Sequence, residues 1–137
     1  MGAGAGPGDR APLAAGHGPG WAKLAEAVAR RVPPSEIETI YLFRPWKREG
    51  REWGTAVVAC RAPEAGGRLR VFTARYMLVV RGKERGRSRV TVEETALSPA
   101  AVIERVMQAA AERSGDPDPP VAIGPATWYE GRQEVTG

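Results

Sequence analysis

With 137 residues, one cysteine and one histidine, the chain has room for one domain but cannot form an internal disulfide or a zinc-ribbon site. No run approaches the roughly 18 apolar residues of a membrane helix, and no basic-led apolar segment marks a secretory signal, so we expect a soluble cytoplasmic protein. The net charge of +4 favours acidic partners, although 17 of the 20 basic residues are arginine, a bias that GC-rich codon usage alone would produce.

The charge is divided unevenly along the chain. Residues 1–43 carry four basic and four acidic groups, residues 44–89 carry 13 basic and four acidic, and residues 90–137 carry three basic and eight acidic. The middle of the sequence is therefore basic and its end acidic.

The N-terminal part divides into a leader and a helix. Residues 1–20 are mostly Gly, Ala and Pro, which cannot bury enough apolar surface to order, so a disordered leader is predicted. The apolar spacing that follows predicts a helix over 21–32, ended by Pro33 and Pro34. Its apolar stripe is Trp21, Leu24, Ala25, Val28 and Val32.

Four segments rich in β-branched and aromatic residues predict strands, joined by short loops that favour antiparallel pairing. The second strand is apolar or small on both faces, which indicates a central strand or a partly covered second face. The third is unusually long, so a bulge or a bend is expected near residues 74–75. The predicted strands span 37–44, 52–61, 69–81 and 87–97, and residues 46–51 are predicted to be a charged loop.

A second helix is predicted after the strands. Ser98 is a good N-cap, Pro99 suits the first helical turn, and Gly115 ends the apolar pattern. We therefore expect an α+β domain over 21–115, a four-stranded antiparallel meander with both helices packed on one face, in the order α-β-β-β-β-α. The Pro-rich acidic tail, 116–137, is expected to dock in part.

A basic hairpin is the first candidate site. Five cations in residues 81–89 surround a predicted turn, and a protruding basic ribbon can lie along phosphates. The alternative is a solvated tip whose charges protect a sheet edge from aggregation. The five cations are Arg81, Lys83, Arg85, Arg87 and Arg89.

The second candidate is a loop that interleaves aromatic and basic residues. Stacking on tryptophan combined with phosphate contact is how single-stranded nucleic acid is bound, and tryptophan with arginine is also typical of protein interfaces. Trp53 follows this loop and extends its aromatic surface; alternatively, Trp53 belongs to the core and Trp46 covers the sheet edge. The candidate binding residues here are Arg44, Trp46, Lys47 and Arg48.

Three arginines fall within predicted strands, where they could bind an anionic ligand. Pairing with nearby Glu52, Glu93 or Glu94 is the favoured interpretation. These arginines are Arg61, Arg70 and Arg75.

No catalytic constellation is recognisable. Cys60 lies within an apolar run, far in sequence from His17, the one histidine, so a buried inert thiol is predicted. The adjacent Glu93 and Glu94 point to opposite faces of a strand. The sequence therefore predicts no catalytic, cofactor-binding or metal-binding residues.

Trp128 and Tyr129 in the tail could anchor in a partner's groove, but stapling the tail across its own sheet is favoured. The leading functional hypothesis is a non-enzymatic interaction module that binds another protein or a second copy of itself. The alternative is binding of nucleic acid or another polyanion through the 81–89 hairpin and the Trp46 loop.

Overall fold

The computed structural model describes residues 18–61, 67–112 and 120–130. It confirms an α+β fold built on an antiparallel sheet. The predicted leader falls largely on residues 1–17, outside the described residues, and its last two residues already belong to the first helix. In chain order the elements are α1 (Pro19–Ala29), a 3-10 turn (Pro34–Glu36), β1 (Ile37–Leu42), β2 (Trp46–Arg48), β3 (Arg51–Cys60), β4 (Leu69–Val79), β5 (Ser88–Leu97), α2 (Pro99–Ala111), β6 (Val121–Ile123) and α3 (Pro125–Glu130).

The four predicted strands form the meander, and two short strands extend it. The order across the sheet is β5-β4-β3-β1-β6, and β2 pairs with the part of β3 that β1 leaves uncovered. β2 lies where a charged loop was predicted. It pairs because Glu49 and Gly50, with φ of 53° and 78°, make the two-residue turn that a tight hairpin requires.

The long strand β4 is regular. It keeps a continuous register with both neighbours through Ala74 and Arg75, so the bulge predicted there is absent. The irregularity lies instead in β1, between Ile37 and Thr39. A regular β4 fixes which side chains share each face, and the functional site depends on this alternation.

The two long helices pack against the sheet, as predicted, but on opposite faces rather than on one. Trp21 and Leu24 of α1 join a core cluster that contains Phe72, whereas Val106 of α2 joins a separate cluster that contains Val57. The physical reason is that β3 and β4 are apolar on both faces, so each face needs a cover. The order of the helices along the chain does not by itself choose a face.

The described part of the tail docks on its own chain. β6 pairs with β1, and α3 then places Trp128 in the core on the α1 side, with 1% of its surface exposed. The Tyr129 hydroxyl donates a hydrogen bond of 2.8 Å to the carbonyl of Ala25 in α1. The tail therefore closes one edge of the sheet and holds α1 in place.

Tyr76 is enclosed by backbone on both faces of its ring. It lies between the backbones of Gly54 on β3 and Gly20 on α1, where a Cβ atom at either glycine would overlap the ring. The edge of Trp21 packs against it with ring centroids 5.2 Å apart, and its hydroxyl donates to the carboxylate of Glu52. The thickness of the Tyr76 ring therefore sets the distance between α1 and the sheet at this point.

Alkaline pH is expected to destabilise the fold through Tyr76 and Tyr129. Burial, together with the Glu52 carboxylate, raises the pKa of Tyr76 above its ordinary value, and burial does the same for the pKa of Tyr129. The protonated side chains of these two tyrosines therefore stabilise the folded chain fully below about pH 10, the pKa of a tyrosine in the unfolded chain. This contribution to the free energy of unfolding is lost as pH rises beyond that value. Urea unfolding at increasing pH should show this fall, and it should be shallower for Tyr129→Phe. A free energy of unfolding independent of pH above 10 would contradict the expectation.

Candidate functional site

α2 covers only part of its face of the sheet. It packs over Val57, Ala59 and Val71, and the same face continues uncovered toward the β2–β3 and β4–β5 turns. There the register aligns Trp46 with Trp53 and Met77 with Arg89. Beside Trp46 lies an open, shallow depression of about 470 Å³, whose lining includes Arg51, Trp53, Arg75, Met77 and Arg89. We call this surface the aromatic–basic face and define it by Trp46, Arg48, Arg51, Trp53, Arg75, Met77 and Arg89.

Two tryptophans form one side of the aromatic–basic face. Trp46 and Trp53 are partners across the β2–β3 pair, and their rings stack with centroids 5.4 Å apart and planes 21° from parallel. Both side chains are partly exposed. A stacked pair fixed on two strands offers a flat π surface whose orientation is set before any ligand arrives.

Three arginines, Arg48, Arg51 and Arg89, lie around the tryptophans. Arg48 and Arg51 lie directly opposite each other across the β2–β3 pair, an arrangement that is unfavourable for like charges. Neither they nor Arg89 have an ion-pair partner among the residues that the structure describes. An anion placed over this part of the sheet would relieve the repulsion.

The arginines within the strands behave differently. Arg75 contacts Glu112 at the end of α2 at 2.7 Å and Glu93 at 3.5 Å, and Arg70 contacts Glu94 at 2.8 Å. The predicted pairing with glutamates is thus confirmed for both. Arg61 instead donates to the carbonyl of Ile37 at 3.1 Å.

The basic hairpin and the β2–β3 turn meet at the same end of the sheet. The amide of Val80 donates to the carbonyl of Gly50 at 2.8 Å, and Arg81 lies beside that turn. Arg81, Lys83 and Arg85 are exposed, while Arg87 pairs with Glu84 at 3.0 Å. The structure therefore brings together two candidate regions that are separated in sequence.

Not every candidate residue reaches this face. Lys47 points to the α1 side, where it is 3.9 Å from Glu52, and Arg44 is exposed at the junction of β1 and β2. Trp128 is in the core, and Tyr129 packs against α1.

Arg51, Trp53 and Met77 are not among the binding residues predicted from the sequence. The sequence pattern places Arg51 among the basic loop residues near the 81–89 hairpin and Trp53 directly after the Trp46 loop, with a core position as its alternative, but it gives no signal for Met77. The spacing of the β2–β3 hairpin is the signal that could have placed Arg51 and Trp53 in the site. Trp46 and Trp53 are equally distant from the Glu49–Gly50 turn, and so are Arg48 and Arg51, so each pair falls on one face of the hairpin.

Other chemistry finds little support in the described ranges. Across residues 18–61, 67–112 and 120–130, no group of three or more His, Cys, Asp or Glu side chains converges on a metal site. Cys60 is buried, as predicted. No helix in these ranges combines the length and apolarity needed to cross a membrane. Comparison with protein-family models, curated proteins and solved structures finds no match.

Proposed function

We propose that this protein binds single-stranded nucleic acid on the aromatic–basic face. The observation that carries the proposal is the stacked Trp46–Trp53 pair beside Arg51 and Arg89, cations without an ion-pair partner among the described residues. Bases would stack on the tryptophan surface, and phosphates would contact the arginines.

The shape of the face favours a single strand over other polyanions. The depression is open and shallow, whereas small-molecule sites enclose most of the ligand. A duplex hides its base faces within its own stack, so it could use the arginines but not the tryptophans. A single strand uses both.

The hairpin tip would extend the binding surface. Arg81, Lys83 and Arg85 lie beyond the edge of the face, on the side where the two turns touch. They would add affinity without base selectivity, because phosphate contacts are the same for every sequence. The face itself would supply the preference for unpaired bases.

The test is a fluorescence-anisotropy titration with a labelled single-stranded oligonucleotide of about ten nucleotides, within the usual site size of such surfaces. We expect saturable binding that weakens as salt is raised, and weaker binding of the same sequence as a duplex. Trp46→Ala should reduce affinity for the single strand by roughly ten-fold, the loss of one stacked base.

A matched pair of arginine variants distinguishes binding at the aromatic–basic face from non-specific attraction to a basic protein. Arg51→Ala should weaken binding and make it less dependent on salt, because one phosphate contact is lost. Arg30→Ala removes the same charge from the exposed C-terminal end of α1, where Arg30 pairs with Glu26, and should leave affinity unchanged. Equal effects of the two arginine variants, or no binding at low salt, would refute the proposal.

A further inference from the structure

The edge of the sheet at β5 is long and unpaired. β5 runs for ten residues at the end of the strand order, and no strand among the described residues pairs with its outer side. At the opposite edge, β6 covers part of β1. An unpaired edge of this length is a template for strand addition unless its side chains oppose it.

The backbone groups that point outward on this edge belong to the even-numbered residues. The amide of Val79 donates to the carbonyl of Arg87 at 2.8 Å, which turns the odd-numbered residues of β5 toward β4. Consistent with this, the Arg31 guanidinium reaches the carbonyl of Val92 from outside at 3.4 Å. Val90 and Val92 therefore direct amide and carbonyl groups outward at the middle of the strand.

The side chains of β5 are arranged symmetrically about Thr91. Arg89 lies two residues before it and Glu93 two residues after it, both exposed and on the same face of the sheet. Val90 and Val92 flank it on the other face. A strand that pairs antiparallel with its own copy about Thr91 would therefore place each Arg89 opposite the partner's glutamate and each Val90 opposite the partner's valine.

Charges on an edge strand usually prevent two copies of a chain from pairing. Arg89 and Glu93 instead favour pairing in the register centred on Thr91, because each lies opposite the other type of charge. A shift of the pairing centre to Glu93 would place two glutamates opposite each other, and a shift to Val92 would remove the opposite-charge pairs. The centre at Thr91 also lets the even-numbered residues of both strands hydrogen-bond, as an antiparallel ladder requires.

We infer that the occupant of the β5 edge is a second copy of this chain, joined by antiparallel β5–β5 pairing about Thr91. The result is a two-fold symmetric dimer with one continuous sheet. This inference rests on the edge and not on the proposed function, but the two share Arg89, so the dimer is tested in the absence of nucleic acid.

The first test is the oligomeric state of the full chain without nucleic acid, by light scattering on a sizing column and by sedimentation across a concentration series. We expect a concentration-dependent dimer. Val92→Pro removes one outward amide but no hydrogen bond to β4, so it should give a monomer with an unchanged circular dichroism spectrum. Val92→Thr retains the amide and should remain dimeric.

Charge exchange tests the register and does not depend on whether the proline variant folds. Arg89→Glu places like charges opposite each other and should weaken dimerisation by roughly ten-fold. The double variant Arg89→Glu/Glu93→Arg restores opposite charges across the two-fold axis and should restore the dimer. A wild-type chain that stays monomeric at millimolar concentration, or a dimer that the exchange does not restore, would overturn the inference.

Discussion

Replacing Gly54 with alanine is expected to lower the free energy of unfolding by about 3 kcal/mol or more, at the upper end of overpacking effects. The Cβ atom would overlap the ring of Tyr76, which cannot retreat because the backbone of Gly20 lies against its other side. The ring is also held by the edge of Trp21 and by its hydrogen bond to Glu52. Urea denaturation monitored by tryptophan fluorescence would measure the loss.

Gly20→Ala tests the same contact from the helix side. Here the expected change in the free energy of unfolding is opposite in sign to the usual effect of this substitution in a helix. Alanine in place of glycine within a helix ordinarily stabilises it by about 1 kcal/mol. Here we expect destabilisation, because the added Cβ meets the same ring. Gly82→Ala is the control: Gly82 has no heavy atom within 4 Å of its Cβ position, and its φ of 95° makes the cost about 1–2 kcal/mol of backbone strain. A stabilising effect of Gly20→Ala would show that the ring does not lie against α1 as described.

Local patterns predicted the elements well and their arrangement only in part. The helix after Ser98 and the meander follow from capping residues and period-two alternation, both of which act within a few residues. The face chosen by α2 is a tertiary outcome. The apolar side chains of Val57 and Val71 signalled that a second face needed covering, but not which helix would cover it.

The candidate site was predicted in outline for a similar reason. Composition pointed to Trp46 and to the 81–89 hairpin, but only the three-dimensional structure shows that the two turns meet through Val80 and Gly50. It also distinguishes Arg75, paired with Glu112, from Arg51, which lacks an ion-pair partner among the described residues. Sequence separation hides both facts, because each depends on strand register and not on nearby residues.

Trp128→Ala is expected to cost about 3–5 kcal/mol, the usual loss for a large aromatic residue removed from a core. Trp128 is 1% exposed and joins the cluster formed by α1 and the sheet, with its ring 5.2 Å from that of Tyr129. Truncation after residue 119 removes the same contacts together with β6, so it should cost at least as much. A truncated chain as stable as the full one would contradict the docking of the tail.

Trp128→Phe separates the packing of this side chain from its polar atom. The indole nitrogen is buried without a hydrogen-bond partner among the described residues, and such a group costs roughly 1–3 kcal/mol of desolvation. Phenylalanine loses part of the ring volume but also removes that cost, so we expect less than half the effect of alanine. Equal destabilisation of the two variants would contradict this expectation, because the indole nitrogen would then have to stabilise the fold instead of costing desolvation free energy. Urea denaturation of both variants therefore decides whether Trp128 holds the tail by apolar packing alone.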